Sequence, residues 1–441
     1  MIPRLAVLAL VCLGGMAAAD QAPPAEEGQD SVTVYITGWS LGSLKPCGCS
    51  GGQLGGLERR ATILDSVSRS RRLVLDTGHW VARDGEQDLI KARFLVRAFQ
   101  LLEYDAICLA EPDLHIVLGL GLLGDLVQTP WAIAQTSLPD VNVPRSFERP
   151  FTVGQRTMWV RVMALDEAGV RMRLDAGPEP GLDQAAGLDI YIVEAPASSF
   201  AGVSLGPRPR PSCILCPAES DDPVLWSDPN ADPLVVSLGR YGRHVVRLDI
   251  PVDPAGAQAR VRFGVQAVSE DLAGREDLAA LYRDYQQVVA DSGLLGQHPK
   301  VPLPRDLEYT GSLACRQCHR YEYDLAASQR HARAYATLEN VGSHLDPECV
   351  VCHVVGLSQG GGFSSVGETP DLKDVGCEAC HGPGSEHVRT YGKAKTTPPR
   401  MACLDCHTPE QSSGYAGHEQ EYLEEMRHWK ELCKAELVQP Q

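Results

Sequence analysis

Four times in its last third the chain spells Cys-x-x-Cys-His: Cys315-Arg316-Gln317-Cys318-His319, Cys349-Val350-Val351-Cys352-His353, Cys377-Glu378-Ala379-Cys380-His381 and Cys403-Leu404-Asp405-Cys406-His407. Two thiols separated by two residues share one turn, where they can add across the two vinyl groups of one haem. The His that follows directs its imidazole at the iron as the proximal ligand. Disulfides and structural zinc also use paired cysteines, but neither requires a His directly after every pair. The motif predicts four covalent c-type haems, fastened at Cys315, Cys318, Cys349, Cys352, Cys377, Cys380, Cys403 and Cys406. Their proximal ligands would be His319, His353, His381 and His407.

The surrounding stretch agrees with that expectation. Residues 308–434 hold too little apolar chain to bury an ordinary core around four separate sites, and they include Gly-rich and polar runs such as 358–365. Flat apolar macrocycles would supply the missing core, and crosslinks at eight cysteines would restrict the unfolded chain. Macrocycles packed in so small a volume lie close enough for electrons to pass from iron to iron. The spare histidines His331, His344, His387, His418 and His428 are candidates for the sixth iron position, against the ordinary fate of a lone surface His.

The 441 residues allow two or three domains. Arg4, the apolar run 5–19 and the small residues Ala17-Ala18-Ala19 before Asp20 predict a cleaved signal peptide over 1–19, hence an exported, periplasmic chain. No later segment reads as a membrane span. The formal net charge of -17 argues against nucleic acid as a partner and suits a carrier that meets redox partner proteins.

Upstream the pattern changes. Alternation over 31–36, a Gly-rich turn over 47–56, helical spacing over 57–69, a short strand at 73–75, a helix over 88–102 and a strand at 106–109 predict alternating α/β structure around a central sheet. Residues 151–263 are richer in strand patterns, at 158–162, 190–193, 235–238 and 244–250. A helix over 270–290 and a Gly/Pro-containing linker over 293–304 then lead to the Cys-x-x-Cys-His region.

Residues 308–428 resemble the tetrahaem domain of the cytochrome c-554 family. The likeness is carried by 314–319, by Ser328-Gln329-Arg330-His331-Ala332, by Asp346-Pro347-Glu348-Cys349, and by Val375-Gly376-Cys377-Glu378-Ala379-Cys380-His381-Gly382-Pro383-Gly384-Ser385-Glu386-His387. The resemblance implies that His331 and His387 are distal ligands to haems bound elsewhere in the fold. A third distal ligand near the domain's end matches His428, with His418 as the alternative, and His344 is left as a surface residue. Three distal ligands for four irons imply one five-coordinate haem, as in the family.

Residues 31–265 resemble the exported 5'-nucleotidase branch of the calcineurin-like metallophosphoesterases, through 42–46, Gly55-Gly56-Leu57-Glu58-Arg59-Arg60, Val74-Leu75-Asp76-Thr77-Gly78 and Gly239-Arg240-Tyr241-Gly242-Arg243. That resemblance implies a two-sheet sandwich flanked by helices. The family's metal ligands are missing, however. Trp39 and Leu41 stand where an Asp-x-His belongs, Gly78-His79 where Gly-Asp belongs, and Ala110-Glu111-Pro112-Asp113 where Gly-Asn-His-Glu belongs. Trp, Leu and Pro cannot ligate a metal, so phosphatase or nucleotidase activity is not expected.

The expected architecture is therefore multidomain. It comprises a metallophosphoesterase-like sandwich over 31–270 without its metal ligands, a helix and linker over 271–307, and a mainly α, haem-packed domain over 308–434. Cys47, Cys49, Cys213 and Cys216 form two close pairs that fit zinc or an iron–sulfur centre, or alternatively disulfides or free thiols. Cys108, in an expected buried strand, reads as a core thiol. Two functions remain open on these grounds. One is electron transfer through four haems. The other is oxidation or reduction of a small nitrogen or sulfur species at a five-coordinate haem.

Overall fold

The computed structural model describes residues 31–46, 52–126, 131–136, 142–176, 187–205, 210–252, 260–304, 306–399, 402–408, 411–412 and 414–429. The expected signal peptide over 1–19, and Cys47, Cys49 and Cys433, lie outside the described residues.

Two six-stranded mixed sheets form the first part of the chain. The first is built from β1 (Ser31–Thr37), β2 (Arg72–Asp76), β3 (Ala106–Leu109), β4 (Trp131–Ala134), β11 (His244–Pro251) and β12 (Arg262–Ala267), in the order β12-β11-β1-β2-β3-β4. The second holds β5 (Ser146–Val153), β6 (Arg156–Ala164), β7 (Gly187–Ile192), β8 (Ser212–Cys216), β9 (Val224–Leu225) and β10 (Leu234–Ser237), in the order β5-β6-β7-β8-β10-β9. Strands β1 to β4 run parallel, and β11 joins β1 antiparallel.

Both faces of each sheet are covered, which is why the central strands read as continuous apolar runs. Val32, Val34 and Ile36 of β1 point into the core between the sheets with Leu73, Leu75, Ile190 and Leu215. Tyr35 and Val74 point to the opposite face, under α1 (Leu57–Leu64), α2 (Glu86–Leu101) and α3 (Glu111–Gly119). The outer face of the second sheet is covered by α4 (Glu167–Ala176) through Val170 and Leu174. The result is a four-layer α/β/β/α sandwich, as the resemblance implied.

Helix α1 ends at Leu64, short of the expected residue 69. The Arg72 guanidinium takes the Leu64 and Val67 carbonyls, acceptors a longer helix would need, and pairs with the Asp65 carboxylate. The helix expected over 270–290 is α5 (Glu276–Ser292). It is more than a spacer: Leu278, Leu281, Tyr285 and Val289 pack into the core beneath α2.

Beyond α5 the chain forms short helices: α6 (Ser312–Arg316), α7 (Arg320–Ala326), α8 (Ala334–Val341), α9 (Pro347–Val350), α10 (Cys377–His381), α11 (Ser385–Arg389), α12 (Ala402–Cys406) and α13 (Glu419–Glu425). Their shared apolar core is small, built on Tyr335, Leu338, Val350, Val354, Val355, Leu357, Phe363 and Leu372.

Cys213 and Cys216 sit three residues apart on β8, so they face opposite sides of the sheet. Cys213 lies in the core between the sheets and Cys216 in the outer core. Burial raises both thiols well above their ordinary value. The expectation that this pair supplies two ligands to one zinc or iron–sulfur centre is corrected by that placement. Among the described residues no group of three or more His, Cys, Asp or Glu side chains is arranged to hold a metal ion. Cys108 is a buried core thiol of β3, as expected.

Candidate functional site

The four Cys-x-x-Cys-His segments fold as single helical turns. Each begins on or beside a short helix, which brings its two thiols to one side and releases the His at the helix end. The best-defined example is α10, whose Glu378 is almost fully buried. Its carboxylate accepts the backbone N–H groups of Thr310 at 2.9 Å, Gly311 at 2.8 Å and Gly384 at 2.7 Å. The Glu of the third motif thereby ties the start of the first motif's segment to the Gly-Pro-Gly turn.

The histidines assemble across the domain in pairs. The His319 and His387 ring centroids lie 5.9 Å apart, those of His331 and His407 6.3 Å apart, and those of His381 and His428 6.3 Å apart. Each pair joins one motif His to one of the three expected distal residues. An iron bound by two imidazole nitrogens at about 2 Å each separates the ring centroids by about 6 Å, so the three spacings fit an intervening haem iron.

Hydrogen bonds set the ring orientations. Nδ1 of His353 lies 2.6 Å from the Ala334 carbonyl, that of His387 2.8 Å from Ala394 O, and that of His428 3.0 Å from Met426 O. A carbonyl oxygen only accepts, so Nδ1 donates and the Nε2 lone pair is left for a metal. His407 Nδ1 meets the Ser412 hydroxyl at 3.0 Å, and its ring stacks on Tyr415 at 4.8 Å and meets Tyr422 edge-on at 5.3 Å, the three rings forming one cluster. Burial, reinforced by neighbouring imidazoles, lowers the pKa of His331, His381 and His407, which favours the neutral form that binds metal.

The remaining histidines separate from these. His418 is mostly exposed and pairs with Glu421, whereas His428 stands against His381. His344, expected at the surface, is half-buried with its ring 6.3 Å from Tyr335.

The thiols of different motifs also approach one another. Cys315 shares a hydrogen bond with Cys377, and Cys352 with Cys406. Cys380 lies within electrostatic range of Cys403 and Cys406. The four attachment sites are therefore neighbours in the order first, third, fourth, second. Beside them stand apolar side chains left in the open: Leu313 at 59%, Leu404 at 50% and Val351 at 37% exposure. The small core, the open apolar side chains, the paired thiols and the ring spacings together fit covalent haem.

In the sheet-bearing part of the chain, the C-terminal ends of β1, β2 and β3 lead to Trp39, His79 and Asp113. Trp39 and His79 both adopt positive φ, 53° and 58°, and their rings stack at 3.8 Å. His79 Nε2 meets Glu194 at 3.1 Å. Asp113 turns inward to accept the N–H groups of His79 at 2.6 Å and Trp80 at 2.9 Å. Burial raises its pKa to about 7. Its two oxygens are thus engaged by backbone, beside the stacked Trp–His pair.

The sequence did not reveal the roles of Glu378 or the Trp39–His79 stack. Only the first left a signal, as an acid inside a Cys-x-x-Cys-His motif.

Residues 314–382 match the family model described as cytochrome c554 and c-prime. Cytochrome c-554 of Nitrosomonas europaea is 36% identical over 97 residues, which cover 19% of this chain and 41% of that protein. The chain thus spans less than half the length of the curated relative it matches. Among solved structures, Thermus thermophilus sulfate thiohydrolase SoxB in complex with glycerol is similar at a TM-score of 0.43 and 14% identity, covering 62% of each chain. The 5'-nucleotidase precursor from Thermus thermophilus is similar at a TM-score of 0.42 and 13% identity, covering 71% of this chain and 68% of that one.

Proposed function

We propose that this chain is a periplasmic multihaem c-type cytochrome that carries electrons between redox partner proteins through four covalently bound haems. The observation that carries the reading is the set of three imidazole pairs spaced for an iron between them, each joining a Cys-x-x-Cys-His histidine to a distal one. The match of 314–382 to the cytochrome c554 family supports it.

Bound haem iron supplies reversible one-electron oxidation and reduction. The chain's own residues do the rest. Cys315 and Cys318, Cys349 and Cys352, Cys377 and Cys380, and Cys403 and Cys406 would fasten the four groups. His319, His353, His381 and His407 would be proximal ligands. His387, His428 and His331 would be the distal partners of His319, His381 and His407. Ligation by His on both faces favours electron transfer over substrate binding. With those three distal residues assigned, the haem fastened at Cys349 and Cys352 is the one to which the pairs give no distal histidine. That the first, third, fourth and second attachment sites are neighbours in turn supports a continuous route for electrons across the domain.

The test is expression in a host competent for export and haem maturation, followed by intact-protein mass and haem quantitation. The mature chain carries the mass of four added porphyrins. A colourless protein, or one whose mass equals the bare polypeptide, would overturn the proposal.

A further inference from the structure

The helix that carries Cys349 is held from outside the haem-packed domain. Helix α9 is one turn long, and its N-cap is Asp346, which accepts the Glu348 N–H at 2.9 Å. Asp346 is buried, and its two oxygens also take Gln87 Nε2 at 2.8 Å and the Tyr285 hydroxyl at 3.3 Å. Gln87 itself donates to the Tyr285 oxygen at 2.8 Å. The next acid, Glu348, directly precedes Cys349 and is paired with the ammonium of Lys91. Gln87 and Lys91 lie one turn apart on α2, and Tyr285 lies on α5, so both helices belong to the sheet-bearing part of the chain.

Three further observations show that this junction is built. Lys91 is a nearly buried cation, with its side chain 9% exposed, while Glu348 is 48% exposed. Gly42, at φ +83°, lets the first loop pass over the Lys91 stem, because a Cβ there would come within 3.1 Å of Lys91 Cδ. Gln286, the neighbour of Tyr285, donates to the Val341 carbonyl at 2.8 Å and the Ser343 hydroxyl at 2.7 Å, which secures the turn before Asp346. A one-turn helix has little stability of its own, so its orientation follows these contacts.

We infer that Lys91, Gln87 and Tyr285 are positioning residues for the haem fastened at Cys349 and Cys352, so that the sheet-bearing domain sets the environment of one haem among four. This rests on the four-haem reading proposed above. It gives the metallophosphoesterase-like domain a task that needs no metal of its own. The other three attachment helices make no comparable set of contacts to α2 and α5 among the described residues.

The test is spectroelectrochemical titration of the full-length haem-loaded protein, comparing wild type with the Lys91→Met/Tyr285→Phe double variant. Lys91→Met is a clean change because the half-exposed Glu348 stays hydrated after its partner is removed. Arg149→Ala breaks an ion pair to Asp105 elsewhere in the same domain and serves as the control for general loosening. The expected result is a shifted midpoint in one of four components in the double variant, with the other three unmoved, and no shift in Arg149→Ala. Four unchanged components in the double variant, or a common shift of all four, would overturn the inference while leaving the four-haem reading intact. Wild-type protein lacking haem would instead remove the reading on which it rests.

Discussion

The His387 ring lies 5.9 Å from that of His319, and its Nδ1 is held by the Ala394 carbonyl at 2.8 Å. One bond points the ring and the other distance leaves room for a metal. The same combination recurs at His428, whose Nδ1 meets Met426 O at 3.0 Å while its ring stands 6.3 Å from His381. A histidine that merely fills space has no reason to satisfy both conditions.

His387→Ala should therefore open one iron without releasing it, since the thioether bonds at Cys315 and Cys318 do not depend on the distal side. The variant is expected to keep the wild-type haem content and to convert one low-spin haem to high-spin. Added imidazole should restore the low-spin absorption. Unchanged spectra would show that His387 ligates nothing.

Glu378 makes a second prediction, about stability. It holds three backbone N–H groups from two separate segments, and they lose their acceptor when it is shortened. Glu378→Ala should cost about 3 kcal/mol or more, and Glu378→Gln about 2 kcal/mol, because the amide keeps only one of the two acceptor oxygens. Denaturant unfolding of the haem-loaded protein measures both.

The third prediction concerns pH. Burial lifts the Asp113 carboxyl from 3.8 to about 7, although the amides of Trp80 and His79 oppose the shift. Between those values the folded chain keeps a proton that the unfolded chain has released. The stability linked to this group is full below about pH 4 and is lost as pH rises through about 7. Relative to Asp113→Asn, the wild type should lose stability across that window. Urea midpoints of the two proteins, compared from about pH 4 to about pH 8, check the sign.

A fourth prediction concerns hydrolysis. With Trp39, Leu41 and Pro112 at ligand positions and Asp113 engaged by backbone, added manganese or zinc should give no release of phosphate from nucleoside monophosphates. Metal-dependent turnover above a buffer control would contradict it.

The sequence carried much of this, unevenly. β3 was legible to its ends because Ala106–Leu109 is an apolar run buried on both faces. α2 was legible within two residues because its apolar spacing is regular. The end of α1 was not, because it depends on Arg72, which arrives from the next strand. The separation of Cys213 from Cys216 is not legible in the sequence, because it depends on both lying on one strand, where an odd spacing sends them to opposite faces. The distal histidines came through family resemblance alone, since a lone His carries no signal of what it faces. Their matching to particular motifs, and the grip of Gln87, Lys91 and Tyr285 on α9, depend on contacts between segments far apart in the chain.

The central claim is that three imidazole pairs span three irons while a fourth haem lacks a distal histidine. Mössbauer spectroscopy of the oxidised, isotope-enriched protein tests it most directly, because every iron contributes area whatever its magnetic coupling. The account predicts low-spin and high-spin ferric haem in a ratio of three to one. A spectrum with no haem iron, or one dominated by high-spin iron, would contradict it.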